Sequence, residues 1–248
     1  MIKFRIAFIL FNLFTSITIA QNSTKNITLS FLNTIHLIPI KLTEGNYTNT
    51  CKENFTISTL KYYISNIEFH AANKQIFKEA DSYHLVDEAD SASKSFSFFL
   101  PQNNFSSMSF MIGVDSLKNV SGAQTDVLDP LNGMFWTWNT GYIMFKLEGK
   151  SPKSTLINNK IEYHIGGFKG NNNVLRSVEI QLPAKNDGLR KAGRTEIIIG
   201  FNLDKFWNAD RGFSIATSPA CTTPGSDAAK IATNYSNLFH LVNITYKN

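Results

Sequence analysis

Apolar residues recur at every second position through most of this chain, the spacing that turns one face of a strand into a core and the other to solvent. Ile27, Leu29 and Phe31 follow it, and so do Ile38, Ile40 and Leu42, which read as a second strand piece with the chain bending near Pro39. Phe55-Thr56-Ile57 leads into a longer run from Leu60 to Phe69. Within that run Tyr62 and Ile64 keep one phase and Ile67 and Phe69 the other, so the spacing predicts a β-bulge at Ser65-Asn66. Further strands are expected at residues 83–86, 96–100, 108–114, 142–147, 161–165, 178–182 and 196–203, separated by turn chemistry such as Glu44-Gly45-Asn46 and Gly170-Asn171-Asn172-Asn173. A helical period appears near the end, where Ala228, Ile231, Ala232 and Tyr235 follow Ser226-Asp227 as a candidate N-cap; a short helical turn is also expected at residues 204–208. Many short strands with little helix predict an all-β, single-domain β-sandwich with one short helix near the C-terminus, and no linker or repeat divides it.

The first twenty residues stand outside this pattern. Lys3 and Arg5 precede the apolar run Ile6 to Phe14, and Thr18-Ile19-Ala20 closes the stretch with small residues. That arrangement is expected of a secretory signal peptide, residues 1–20, cut after Ala20 to leave a domain at 21–248 in the periplasm or outside the cell. The run is too short for a membrane span, so none is expected after cleavage. Loss of Lys3 and Arg5 lowers the formal charge from +5 to +3. The remaining basic residues are scattered, the one modest cluster being Leu189 to Arg194, which reads as a solvated turn; no nucleic-acid partner is expected. A hydrophobic content of 43% with 17% charged residues excludes a mainly disordered chain. In an exported chain the two cysteines, Cys51 and Cys221, are expected to form a disulfide, which would contribute about 4 kcal/mol across so long a loop.

Signatures of common enzymes are missing: there is no Gly-x-Ser-x-Gly elbow, no phosphate loop, no His-Glu-x-x-His and no Cys-x-x-Cys. The five histidines, at 36, 70, 84, 164 and 240, show no metal-binding spacing. Carboxylates such as Asp115, Asp129 and Glu148 show no acid and base spacing, so they read as solvated or turn-stabilising groups and the chain is not expected to be an enzyme. The unusual piece is Asp129-Pro130-Leu131-Asn132-Gly133-Met134-Phe135-Trp136-Thr137-Trp138, which holds two of the three tryptophans. Two residues apart on an extended chain, Trp136 and Trp138 share a face. Such a pair packs a core, stacks on a sugar ring, or forms an electron-rich, oxidisable patch.

Several ordered pieces then carry a family resemblance: Leu60-Lys61-Tyr62-Tyr63-Ile64-Ser65-Asn66-Ile67, Tyr83-His84-Leu85-Val86-Asp87, Ile112-Gly113-Val114-Asp115-Ser116, Ser121-Gly122-Ala123-Gln124, the tryptophan segment with Lys146-Leu147-Glu148-Gly149, Tyr163-His164-Ile165-Gly166-Gly167-Phe168, and Ile231-Ala232-Thr233-Asn234-Tyr235. Together they resemble the MbnP-like domain, named for the methanobactin-associated copper-binding protein, in the version common in the Bacteroidetes. The resemblance implies an exported, non-enzymatic copper-binding protein in which a diheme cytochrome c peroxidase-like partner oxidises a tryptophan to kynurenine. It points to Trp136 and Trp138 as oxidation candidates and His164 as the best histidine ligand, kynurenine and imidazole together suiting copper. It also exposes departures. Methanotroph members often carry a histidine in the strand matching Tyr62 to Ile67 and another in the loop after Gly113-Val114, where this chain has Ser65-Asn66 and Leu117-Lys118-Asn119-Val120. A second donor is then sought at His36, His84 or Met134. The rival reading is a secreted, non-catalytic module that docks a carbohydrate or a protein through its paired tryptophans; indoles lining an open groove would favour it, and buried ones beside His164 the metal.

Overall fold

Strand alternation resolves into two facing sheets. The computed structural model describes residues 24–101, 103–136, 138, 141–183, 193–207 and 213–247; the expected signal peptide, residues 189–192 of the basic turn and Asn208 lie outside them. The first sheet is built on β1 (Thr24–Ile35), which pairs in parallel with β13 (Arg194–Asn202) and antiparallel with β2 (Ile38–Pro39) and β7 (Ser95–Pro101); β15 (Phe239–Lys247) runs antiparallel on the far side of β13. The second sheet has ten strands and is organised around the 18-residue β4 (Asn54–Ala71). Its main path runs β12 (Arg176–Gln181), β8 (Phe105–Ile112), β4, β10 (Gly141–Lys150), β11 (Lys160–Gly166) and β14 (Ala220–Cys221). Short strands β3 (Tyr47–Thr48), β5 (Ile76–Lys78) and β6 (Tyr83–Asp87) pair with β4, and β9 (Phe135–Trp136) pairs with β10. The all-β sandwich expected from the alternation is therefore observed, with the parallel pairs β1·β13 and β11·β14 added.

The bulge falls where the phase change put it. Ser65 faces Met111 and Glu68 faces Ser109, so β4 spends an extra residue there, and Asn66 takes a left-handed φ of 50°. The strand expected over 38–42 is shorter than its pattern suggests. The chain reverses at His36-Leu37, both left-handed (φ 52° and 63°), rather than bending at Pro39, and it pairs only as far as Pro39. The C-terminal helix is α2 (Ser226–Tyr235), which buries Ala228, Ile231, Ala232 and Tyr235 on one stripe; Gly225, not Ser226, occupies its N-cap position. A five-residue helix, α1 (Ser116–Val120), was not legible in the apolar period and is started by Asp115, whose side chain accepts from Lys118 N. The expected turn after residue 203 is a 3-10 turn, Leu203–Lys205.

Aromatic side chains from both sheets interlock between the layers. Tyr62 stacks on Phe201 with ring centroids 5.1 Å apart and meets Phe239 edge-on, while Phe110 meets Phe31 and Phe239 edge-on. Each such side chain contributes on the order of 2 kcal/mol by leaving water. Tyr62 also carries a hydroxyl into the core, and burial pushes its pKa well above the ordinary value. The hydroxyl donates to Asn33 Oδ1 at 2.7 Å, and Asn33 Nδ2 donates to Glu88, which pairs with Lys94. The buried polar group is thus wired to the surface instead of being left unpaired.

No disulfide joins Cys51 and Cys221, contrary to the expectation from export. The Cys51 Sγ is turned to the Phe213 carbonyl at 3.8 Å, ahead of β4, and the Cys221 Sγ on β14 is turned to the Thr223 carbonyl at 4.0 Å. Sequence alone carries no information on whether two thiols point at one another. The link between these segments is made instead by buried Glu53, which accepts from Ile215 N, Ala216 N and Asn49 Nδ2, each at 2.8 Å.

Candidate functional site

The tryptophan segment folds across the outer face of the larger sheet. Two 3-10 turns, Asp126–Leu128 and Pro130–Asn132, begin it. Asp129 caps the second by accepting from Leu131 N, and Gly133 closes it in a left-handed conformation (φ 72°) that favours glycine. Then β9 pairs with the start of β10, placing Trp136 opposite Gly141 and Phe135 opposite Tyr142. Two lysines hold the segment from beneath: Lys61 Nζ donates to Asn132 O at 3.3 Å and Lys146 Nζ to Gly133 O at 3.1 Å. Asn119 fixes the other side by accepting from Tyr142 N while donating to Val114 O and Asp115 O.

Register arranges the polar partners of this segment into a row. Asp87, Lys61, Lys146 and His164 are successive cross-strand neighbours on β6, β4, β10 and β11. Lys61 pairs with Asp87 at 2.9 Å. Glu148, two residues along β10 from Lys146 and so on the same face, accepts from His164 Nε2 at 2.7 Å and from Thr59 Oγ1 at 2.9 Å, with Lys146 Nζ 3.4 Å away. The hydrogen bond from His164 is the largest reason why the Glu148 pKa falls from 4.5 to about 2, and Lys146 and Thr59 lower it further against the opposing effect of burial. With Nε2 committed to the carboxylate, Nδ1 is the His164 nitrogen open to a ligand, an arrangement in which a carboxylate orients an imidazole.

Gly166 brings a tryptophan onto the strand that carries this histidine. It stands two residues beyond His164 on β11, hence on the same face, and a Cβ there would lie 2.5 Å from Trp136 Cζ3 and 2.7 Å from Cη2. The indole occupies the space that a side chain would need. The two tryptophans are neighbours as expected, with ring centroids 5.6 Å apart and planes at 45°, but their settings divide: Trp136 is 6% exposed and Trp138 is 63% exposed.

The other candidate donors are engaged elsewhere. His36 sits in the β1–β2 turn with Nδ1 3.1 Å from Asp204 and Nε2 2.9 Å from Thr48 O. His84 contacts Glu79 through Nε2 at 2.9 Å and stacks on Phe96 at 3.5 Å. Met134 is fully buried. Among the described residues no three His, Cys, Asp or Glu side chains gather as a metal-binding group. Glu148, read from the sequence as a solvated or turn-stabilising carboxylate, is instead bonded to His164, and Lys146 and Gly166, quoted only within the family pieces, had no role assigned. Their signal was period-two spacing on strands whose pairing it did not supply.

A family model, MbnP, matches residues 24–223. The chain belongs to the MbnP family. A solved structure described as MbnP from Methylosinus trichosporium is similar, with a TM-score of 0.59 and 12% identity over 91% of this chain and 100% of that one, which establishes a shared MbnP fold. Among curated protein sequences none matches the chain. No helix among the described residues is long and apolar enough to cross a membrane.

Proposed function

We propose that this MbnP-family chain is an exported, non-catalytic copper-binding protein whose centre is the outer-face cluster of Trp136, Trp138 and His164. Family membership supports a copper-related role. The observation that carries the location is the indole of Trp136 lying over Gly166, on the His164 face of β11. As translated, however, the side chains do not fit copper. They supply one open imidazole nitrogen, whereas copper sites collect two or more nitrogen or sulfur donors.

The reading therefore requires that a tryptophan be converted first. Trp138, the exposed member, is the indole that a diheme peroxidase-like partner meets from solution, and Trp136 lies next to it. Two peroxide equivalents cleave the indole C2–C3 bond, adding two oxygens and releasing two waters; hydrolysis then removes the formyl carbon as formate and leaves kynurenine. The new aryl amine adds a nitrogen donor near His164, whose orientation Glu148 holds.

Co-expression with such a partner, peptide mass spectrometry and copper titration test this. The expected result is ring-opened product at Trp136 or Trp138, copper uptake only by the oxidised chain, and loss of uptake but not of oxidation in His164→Ala. Unmodified tryptophans, or uptake indifferent to His164, would overturn it. The exposure of Trp138 favours a second reading, a module docking a carbohydrate or protein. Glycan or protein binding by the unoxidised chain that disappears in Trp138→Ala would support that one.

A further inference from the structure

Beside the buried edge of the tryptophan segment lies a cleft of about 560 Å³, within the range of small-molecule sites. Trp136, Tyr142, Phe168, Pro224 and Val120 give it apolar and aromatic surface, beside the amides of Asn119 and Asn172. Gly167 keeps it open: a side chain there would stand 2.8 Å from Asn172 O and 3.2 Å from Pro224 Cβ. Among the described lining residues one side chain is charged, Lys169, whose ammonium lies 5.0 Å from the Phe168 ring centroid. No carboxylate is among the described lining residues. Asp115, in the segment leading to Asn119 and Val120, is engaged by the Tyr83 hydroxyl and Lys118 N, and Asp227, three residues beyond Pro224, is paired with Lys230 at 3.1 Å.

We infer that this cleft binds a small aryl carboxylate, its ring between Phe168 and the Trp136 edge and its anion on Lys169. The walls supply apolar and ring contacts, and an ammonium with no carboxylate among the described lining residues selects negative charge. The inference needs no copper and no oxidised tryptophan, so its failure leaves the copper reading standing, and the reverse holds as well.

Calorimetric titration of the full, unoxidised chain with naphthoate, naphthalenemethanol and naphthylmethylammonium is the test. Naphthoate is expected to bind at one site about tenfold more tightly than the alcohol, with the ammonium weakest. Lys169→Gln should bring naphthoate down to the alcohol's affinity. Val120→Trp, at a position 60% exposed on the cleft wall, should fill the space and weaken naphthoate by about tenfold or more without unfolding the chain. Equal affinities for the three probes, a Lys169→Gln or Val120→Trp variant that binds as before, or no saturation up to about 10 mM would each overturn the inference.

Discussion

Phe145 and Lys146 are neighbours on β10 and belong to two differently built regions. Phe145 points between the sheets, where it stacks on Phe206 and Tyr235 with centroids 5.3 Å from each and lies 6.0 Å from Phe201. Lys146 points outward and is held by one carbonyl and one carboxylate. Inside, stability is set by area and fit, so many aromatic partners share the load. Outside, each contact is directional and has one or two partners, so position matters more than stability. Exposed contacts of the outer face can therefore be altered for function with little loss of fold, whereas the inner face cannot.

The largest effect should come from the inner face. Phe145→Ala empties a fully buried site and is expected to cost about 3–5 kcal/mol in urea unfolding. A loss below about 1 kcal/mol would mean that the aromatic layer is loosely packed and would erase the contrast. Next, Gly166→Ala forces a methyl into the Trp136 ring and is expected to cost about 2 kcal/mol. Its tryptophan emission should shift as the indole is pushed outward, and an unchanged spectrum would argue against the Trp136 placement.

A smaller effect should follow pH. The Glu148 pKa lies below its unfolded value, so its stabilisation is complete above about pH 4.5 and fades as pH falls towards about 2. Discounted for solvent, the loss is on the order of 1 kcal/mol. Glu148→Gln should remove that part of the acid dependence, visible as a flatter stability profile for the variant, so that the parent's advantage over it shrinks as pH falls across this range. Smallest of all, Leu131→Ser, at 93% exposure, should change stability by less than about 0.5 kcal/mol. A larger loss would show that the tryptophan segment leans on its own tip.

Alternation, turns and one helical period determined the sandwich by themselves, because burial of one strand face leaves a period of two in any chain that folds this way. Even the bulge at Ser65-Asn66 was legible, since an inserted residue inverts the phase. The tryptophan pair and His164 stood out by residue type and by family resemblance. Pairing did not. That Lys146 neighbours His164, that Glu148 accepts a hydrogen bond from its Nε2, and that Trp136 lies over Gly166 depend on register between strands distant in sequence. The same limit explains the cysteines. The expected signal peptide made a disulfide the reasonable expectation, but bond formation needs two sulfurs aimed at each other, and the tertiary structure aims them at separate carbonyls. Residue identity and spacing thus decided which faces are buried; only the packed sheets decided which side chains meet, because contact is a property of pairs that a single strand's periodicity does not contain.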